Sequence, residues 1–291
     1  FVGGLWIPNL FYWGLNQFIT QRTLGAKSLA EGQKGIFFAA WLKLLIPFII
    51  VIPGIMAFHL YKDVVQNADG AYSYMIAQIL PPYLRGLMFA ALTGAVMSSF
   101  NSGLNSAATI FTIDIFKKYF QRSSDPHSDV KVGRYATAII VVIACLWAPV
   151  ISGFEGVFRY IQEIWGFITA GIVAAFLFGM VVKRAPALAA KTALILGAIL
   201  YALFRIPGWV LKAAADAGEL AEGSAALAIY KFSTIAFLHH MGIIFLILVA
   251  VMFVITKLRP LDEPVTMPQS GIDVRPHPKQ YLFGGITIAP P

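Results

Sequence analysis

The sequence predicts an all-α polytopic membrane protein with about seven transmembrane helices, judged by the length needed to cross hydrocarbon. Three observations predict it. Apolar side chains make up 58% of the 291 residues, charged ones only 12%, and mean hydropathy is +0.75, far from soluble norms. Runs free or nearly free of charge recur at 1–21, 36–61 (broken by Lys43), 86–113, 135–154, 160–182 (broken by Glu163) and 232–256. A weaker run, 185–204, is interrupted by Lys191. The third observation is the placement of the basic residues.

The net charge of +8 would suit a nucleic-acid binder, but its distribution says otherwise. Lys and Arg number three in 21–35, five in 117–134, three in 183–191 and four from 257 onward. The intervening loops are poorer or balanced by Asp216, Glu219 and Glu222. Alternation of this kind is the positive-inside pattern for seven crossings, with the N-terminus outside. The basicity is topology, and no nucleic-acid partner is expected. The chain begins with Phe inside an apolar run, and KQYLFGGITIAPP at its end reads as the start of a further span. The expectation is therefore that an N-terminal part of a longer protein is absent; no signal peptide is recognised.

Taken in order, the first run holds IPNLFYWGLNQ at 7–17. Pro8 and Gly14 weaken helical hydrogen bonding there, and an interrupted helix near the midplane points to a transporter site. Asn9, Tyr12, Trp13 and Asn16 offer amides, a hydroxyl and rings to a polyhydroxylated ligand. The alternative is a proline kink within an aromatic belt. In the second run, Lys43 lies ~12 Å past the helix start at ~1.5 Å per residue. It either snorkels to the cytoplasm or faces a polar cavity. Residues 67–82 and 208–223 are the longest outer connections, the first with a short helix near 72–80.

The third run poses the sharpest question. AVMSSFNSGLNSAATIFTIDIF, 95–116, carries four serines, two asparagines and two threonines where polar groups need partners. At 100° per residue, Ser98, Ser99, Ser102, Ser106 and Thr109 fall on one face roughly 100° wide, with Asn101 and Asn105 at its border. Small hydroxyl residues let membrane helices approach closely. They also offer the oxygen ligands that hard cations prefer. The stripe alone fits both readings.

Further along, Cys145 in an apolar run reads as packing, and a single cysteine allows no disulfide within the chain. Glu155, Arg159, Gln162 and Glu163 cluster at the outer end of the fifth run. Arg159 and Glu163, four apart, are placed to pair, whereas Gln162 points elsewhere, suiting a sugar or a packed helix equally. His239 and His240 point ~100° apart on a helix and make a poor metal pair. HExxH, CxxC and GxSxG do not occur, so no enzyme and no cofactor are expected.

NLFYWGLNQFITQRTLGAKSLAEGQKG, AAWLKLLIPFIIVIPG, GAVMSSFNSGLNSAATIFTIDIFKKY and FRYIQEIWGF closely resemble the sodium:solute symporter family, nearest its bacterial sodium/sugar members. The likeness covers nearly the whole chain. It implies a LeuT-like fold of two five-helix inverted repeats. Residues 1–182 would be the second repeat, core helices six to ten near 1–20, 36–61, 83–116, 134–154 and 156–182. Residues 183–256 would add two peripheral helices, and 257–291 a cytoplasmic tail or the start of a last helix.

By the same resemblance Asn9, Lys43 and Gln162 bind sugar hydroxyls and Tyr12 stacks over the sugar. Tyr12, Trp13 and Phe158 form the gates, with Tyr12 the inner gate and Phe158 the outer one. The Ala95 carbonyl and the Ser98 and Ser99 hydroxyls bind sodium, the coupling ion. The implied function is sodium-coupled symport of galactose or glucose across a cell (inner) membrane, completed by a first half outside this sequence. Transport of myo-inositol, proline or pantothenate, or a non-transporting sensor, are the alternatives.

Overall fold

Hydrocarbon offers no partner to backbone polar groups, so each span must close its hydrogen bonds within itself. The computed structural model describes residues 4–61, 63–65, 68–120, 126–151 and 156–266. Among these the chain is helical, without strands. Among the described residues six helices are long and apolar enough to cross a membrane. The expected tail (beyond residue 266) and Glu155 lie outside the described residues.

The chain divides into two compact units, 1–16 with 158–269 and 17–157 with 270–291. In the first unit, α1 (Trp6–Leu10) continues into a π-helical turn, Phe11–Leu15, and Asn16 then turns extended at φ −81°, ψ 119°. The expected first span is therefore interrupted, at Asn16. Ile7 and Phe11 are buried, and Trp6 meets Phe245 edge-on at 4.9 Å.

The second unit opens with α2 (Gln17–Leu24), followed by α3 (Leu29–Lys43). Ser28 caps α3, accepting from the Glu31 N–H at 3.3 Å. A π-helical turn, Pro47–Val51, leads into α4 (Ile52–Tyr61). Proline has no N–H for the Lys43 carbonyl four residues back, so the α-helical ladder breaks just after Lys43. The short helix expected in the outer connection is α5 (Ala71–Ile79). Pro82, pre-set for a first helical position, opens the 29-residue α6 (Pro82–Ile110), extended by a π-helical turn and α7 (Lys117–Tyr119). α8 (Pro126–Ile151) completes the unit. Cys145, expected in packing, is exposed on α8; an apolar face turned outward suits lipid.

The first unit resumes with α9 (Val157–Val181), α10 (Ala187–Asp216), α11 (Ala225–Ser233) and α12 (Phe237–Leu258). Half of the connection expected at 208–223 is helical, because α10 runs on through Pro207 to Asp216. It stops in a Schellman turn: Gly218 has φ +72°, Glu219 N–H donates to the Ala214 carbonyl and Gly218 N–H to that of Ala215. The core of this unit is Val173, Ala174, Ala193, Tyr201, Ile244 and Leu248 with their neighbours. α9 and α10 touch backbone to backbone, since a Cβ on Gly171 would lie 2.9 Å from the Ala193 carbonyl oxygen.

Candidate functional site

The interrupted helix sets out the first group. Asn9 on α1 is exposed, and its Nδ2 donates to the Leu5 carbonyl at 2.8 Å, which fixes its rotamer. Tyr12 and Trp13 lie in the π-helical turn, a feature that often accompanies functional sites. The Tyr12 ring stacks on Trp165 of α9 at 5.5 Å and 28°, and Trp13 meets Tyr12 edge-on at 5.1 Å. Gln162 is half-buried one turn before Trp165 on the same face of α9. The structure thus brings Tyr12 to the α9 face that bears Gln162. Trp13 is 43% exposed and Phe158, at the start of α9, 74% exposed.

Trp165 stands in the stretch FRYIQEIWGF, where nothing but its place relative to Gln162 marks it as a site residue. Its signal was spacing: three residues after Gln162, it shares that residue's face.

Behind that face lies a buried charge cluster. Glu163 Oε1 accepts from Arg205 Nη2 at 2.8 Å and from Arg159 Nε at 3.2 Å. The expected Arg159–Glu163 pair is present, but the Arg159 side chain is 64% exposed and that of Arg205 only 6%. The buried partner dominates, since exposed pairs contribute little. Arg205 also donates from Nη1 to the carbonyls of Ser233 at 2.5 Å and Ile235 at 3.2 Å. His240 is buried with Nε2 at 3.0 Å from the Phe232 carbonyl. No cluster of metal-ligating residues occurs among the described residues.

In the second unit, Lys43 is the last residue of α3 and is exposed. Ala95, Ser98 and Ser99 are likewise exposed on α6, while Ser102, Ser106 and Thr112 below them are buried. The hydroxyl stripe is therefore two things in succession. Its lower part turns inward: Arg22 of α2 donates to Ser102 Oγ, which donates to the Ser98 carbonyl at 2.9 Å. Thr109 and Thr112 donate to the carbonyls of Asn105 and Ala108, each at 2.7 Å. Bonding to the i−4 carbonyl is how a hydroxyl is satisfied within its own helix. Arg22 was not singled out from the sequence, where it counted only as a loop charge.

A family model of the sodium:solute symporter family matches residues 3–197. The chain is 47% identical over 199 residues to the sodium/glucose cotransporter of Vibrio parahaemolyticus, covering 63% of this chain and 36% of that one. It is 36% identical over 275 residues to the uncharacterized symporter YidK of Escherichia coli (strain K12), covering 94% and 44%. To the human sodium/myo-inositol cotransporter 2 it is 37% identical over 215 residues, covering 68% and 32%. The chain spans less than half the length of each of these relatives. Multiple apolar spans, a broken helix and a match over residues 3–197 agree, and the chain belongs to the sodium:solute symporter family, a family of membrane transporters and not of enzymes.

Proposed function

We propose that this chain is part of a transporter that couples sodium entry to uptake of a neutral sugar, galactose or glucose, by alternating access across the cell (inner) membrane. The observation that carries the reading is the Tyr12 ring stacked on Trp165, one turn from Gln162, at the foot of a helix that breaks at Asn16. Rings cover the apolar face of a sugar while amides bond its hydroxyls. The likeness to a sodium/glucose cotransporter supports the sugar, and likeness to sodium/myo-inositol cotransporters makes a cyclic polyol its natural competitor.

The roles follow. Asn9 and Gln162 exchange hydrogen bonds with sugar hydroxyls, and Lys43 donates to one. Tyr12 closes the inner side and Phe158 the outer, with Trp13 as a further gate residue. The Ala95 carbonyl with the Ser98 and Ser99 hydroxyls holds sodium, a hard ion that takes oxygen ligands. Sodium raises sugar affinity only by binding the outward-facing state better than the inward one. Its loss to the cytoplasm then loosens α6 and releases the sugar. The repeat reading, with residues 1–182 as the second of two inverted five-helix repeats, supplies the partner surfaces from the rest of a complete protein.

The test is sodium-dependent uptake of labelled hexose by the complete protein. Lys43→Ala should lower uptake by about tenfold or more, the loss of one hydrogen bond to a charged donor. Uptake of myo-inositol or proline that survives this change, without competition by hexose, would replace the sugar assignment.

A further inference from the structure

Gln162 and Trp165 contribute to a binding face only if α9 keeps one rotation about its own axis. Neighbouring helical residues point ~100° apart, so the turn of α9 that presents Gln162 carries Glu163 round to an adjacent, buried side. There Glu163 Oε1 meets Arg205 Nη2 at 2.8 Å, and the other arm of the same guanidinium is fixed on the Ser233 and Ile235 carbonyls. Arg205 thus bridges three elements, α9, α10 and the α11–α12 junction. One turn along α9, Gly166 lies under the Tyr201 ring, where a Cβ would come within 2.1 Å. Tyr201 is one turn from Arg205 on the same face of α10 and is fully buried. The Tyr201, Ser233 and His240 side chains, and Arg205 itself at Nε, each keep a buried polar atom without a partner among the described residues. Arg205 therefore carries the charge-assisted bonding of this cluster.

We propose that Arg205 is a positioning residue for substrate recognition: through Glu163 it sets the rotation of α9 and so the placement of Gln162 and Trp165 against Tyr12. The proposal rests on the sugar-binding reading above. Arg205 touches no substrate; it acts through Glu163. A planar fork is needed, because one arm holds Glu163 while the other holds two carbonyls, and a lysine ammonium does not span both.

The experiment uses the complete protein with Arg205→Lys, Glu163→Gln and, for comparison, Arg159→Gln. Arg205→Lys and Glu163→Gln should each raise the half-saturating hexose concentration by about five- to tenfold, the scale of one weakened hydrogen bond. Sodium half-saturation should stay within about twofold in the same variants, as should both constants in Arg159→Gln, whose exposed pair contributes little. A purely structural Arg205 would instead reduce the amount of folded transporter and leave its half-saturation unchanged, and that result overturns the proposal.

A second measurement does not depend on transport. In purified complete protein lacking other reactive thiols, the modification rate of Gln162→Cys by a small maleimide is compared with and without Arg205→Lys. A change of about threefold or more supports the proposal, on the scale of a partial local opening. An unchanged rate overturns it. Should the complete protein carry no hexose at all, the proposed function falls, and the thiol rates still decide whether Arg205 positions α9.

Discussion

Apart from the more polar α6–α7 span, the two units have helices of comparable apolarity and treat them differently. In the first, 39%, 22% and 33% of the most apolar stretches of α9, α10 and α12 are buried. In the second, the corresponding shares are 0% for the α3–α4 span, 6% for α6–α7 and 6% for α8. Glycine position accounts for much of the difference. A Cβ on Gly166 or Gly171 would come within 3 Å of a neighbouring helix and one on Gly197 would be a tight 3.1 Å from Leu248, whereas Gly35, Gly54, Gly86 and Gly94 have nothing within 4 Å. Membrane helices gain little from hiding apolar surface from lipid, so close fit decides which of them associate. The first unit has matched small residues across its helices. In the second, the small and hydroxyl residues of α6 are buried only from Ser102 onward.

The comparison breaks most sharply at the ion pairs. Glu163→Leu leaves Arg205 charged and buried, and should cost about 3–5 kcal/mol of stability. Asp129→Asn removes the pair with Lys117 (3.1 Å), whose side chains are 26% and 33% exposed, and should cost at most about 1 kcal/mol. Thermal unfolding of the complete protein in detergent reads both. Similar losses in the two variants would remove the distinction between the units.

Next in size is Gly166→Ala. The added methyl runs into the buried Tyr201 ring, so the ring or the helices must shift at a cost of about 1–3 kcal/mol. Gly94→Ala on α6 meets nothing in its own unit and should be neutral or slightly stabilising by about 0.5 kcal/mol. The same melting experiment compares them. A loss at Gly94 equal to that at Gly166 would mean that this stretch of α6 is packed as tightly as α9.

A last pair of effects, read in sodium affinity rather than in stability, separates the two halves of the hydroxyl stripe. On the proposed reading, Ser98→Ala and Ser99→Ala each remove an ion contact of about 1–3 kcal/mol, raising sodium half-saturation roughly five- to a hundredfold. Ser106→Ala, buried and lower on the same face, removes only a packing hydroxyl of about 0.6 kcal/mol and should change it little. Sodium-dependent uptake by the three variants measures this. Equal, small shifts at all three positions would make the whole stripe packing.

Much of this was legible in the chain itself. The all-helical, multi-span architecture came from hydropathy and the helix break from Pro8 and Gly14, although six long spans rather than seven stand among the described residues and the break falls at Asn16, one step beyond the π-helical turn. The Arg159–Glu163 pair followed from i,i+4 spacing. Its stronger rival, Arg205, did not, because it lies 42 residues from Glu163 and only packing joins them. Trp165 and Arg22 escaped for the same reason: one stacks on Tyr12 and the other bonds Ser102 across large sequence separations. The end of α10 also escaped, since Pro207 reads as a stop while the helix continues past it.

By itself the sequence determined that this is a helical membrane protein of the symporter class. Hydrocarbon imposes one rule on every span, length and apolarity without unsatisfied backbone, and that rule is local. Only the tertiary structure decided which polar groups are partnered inside the chain and which are left facing outward. Ser98 and Ser102 are the same residue type on one face of one helix, and periodicity makes them equals. What separates them is Arg22 of another helix standing over Ser102, and no local pattern in α6 records where a neighbouring helix ends.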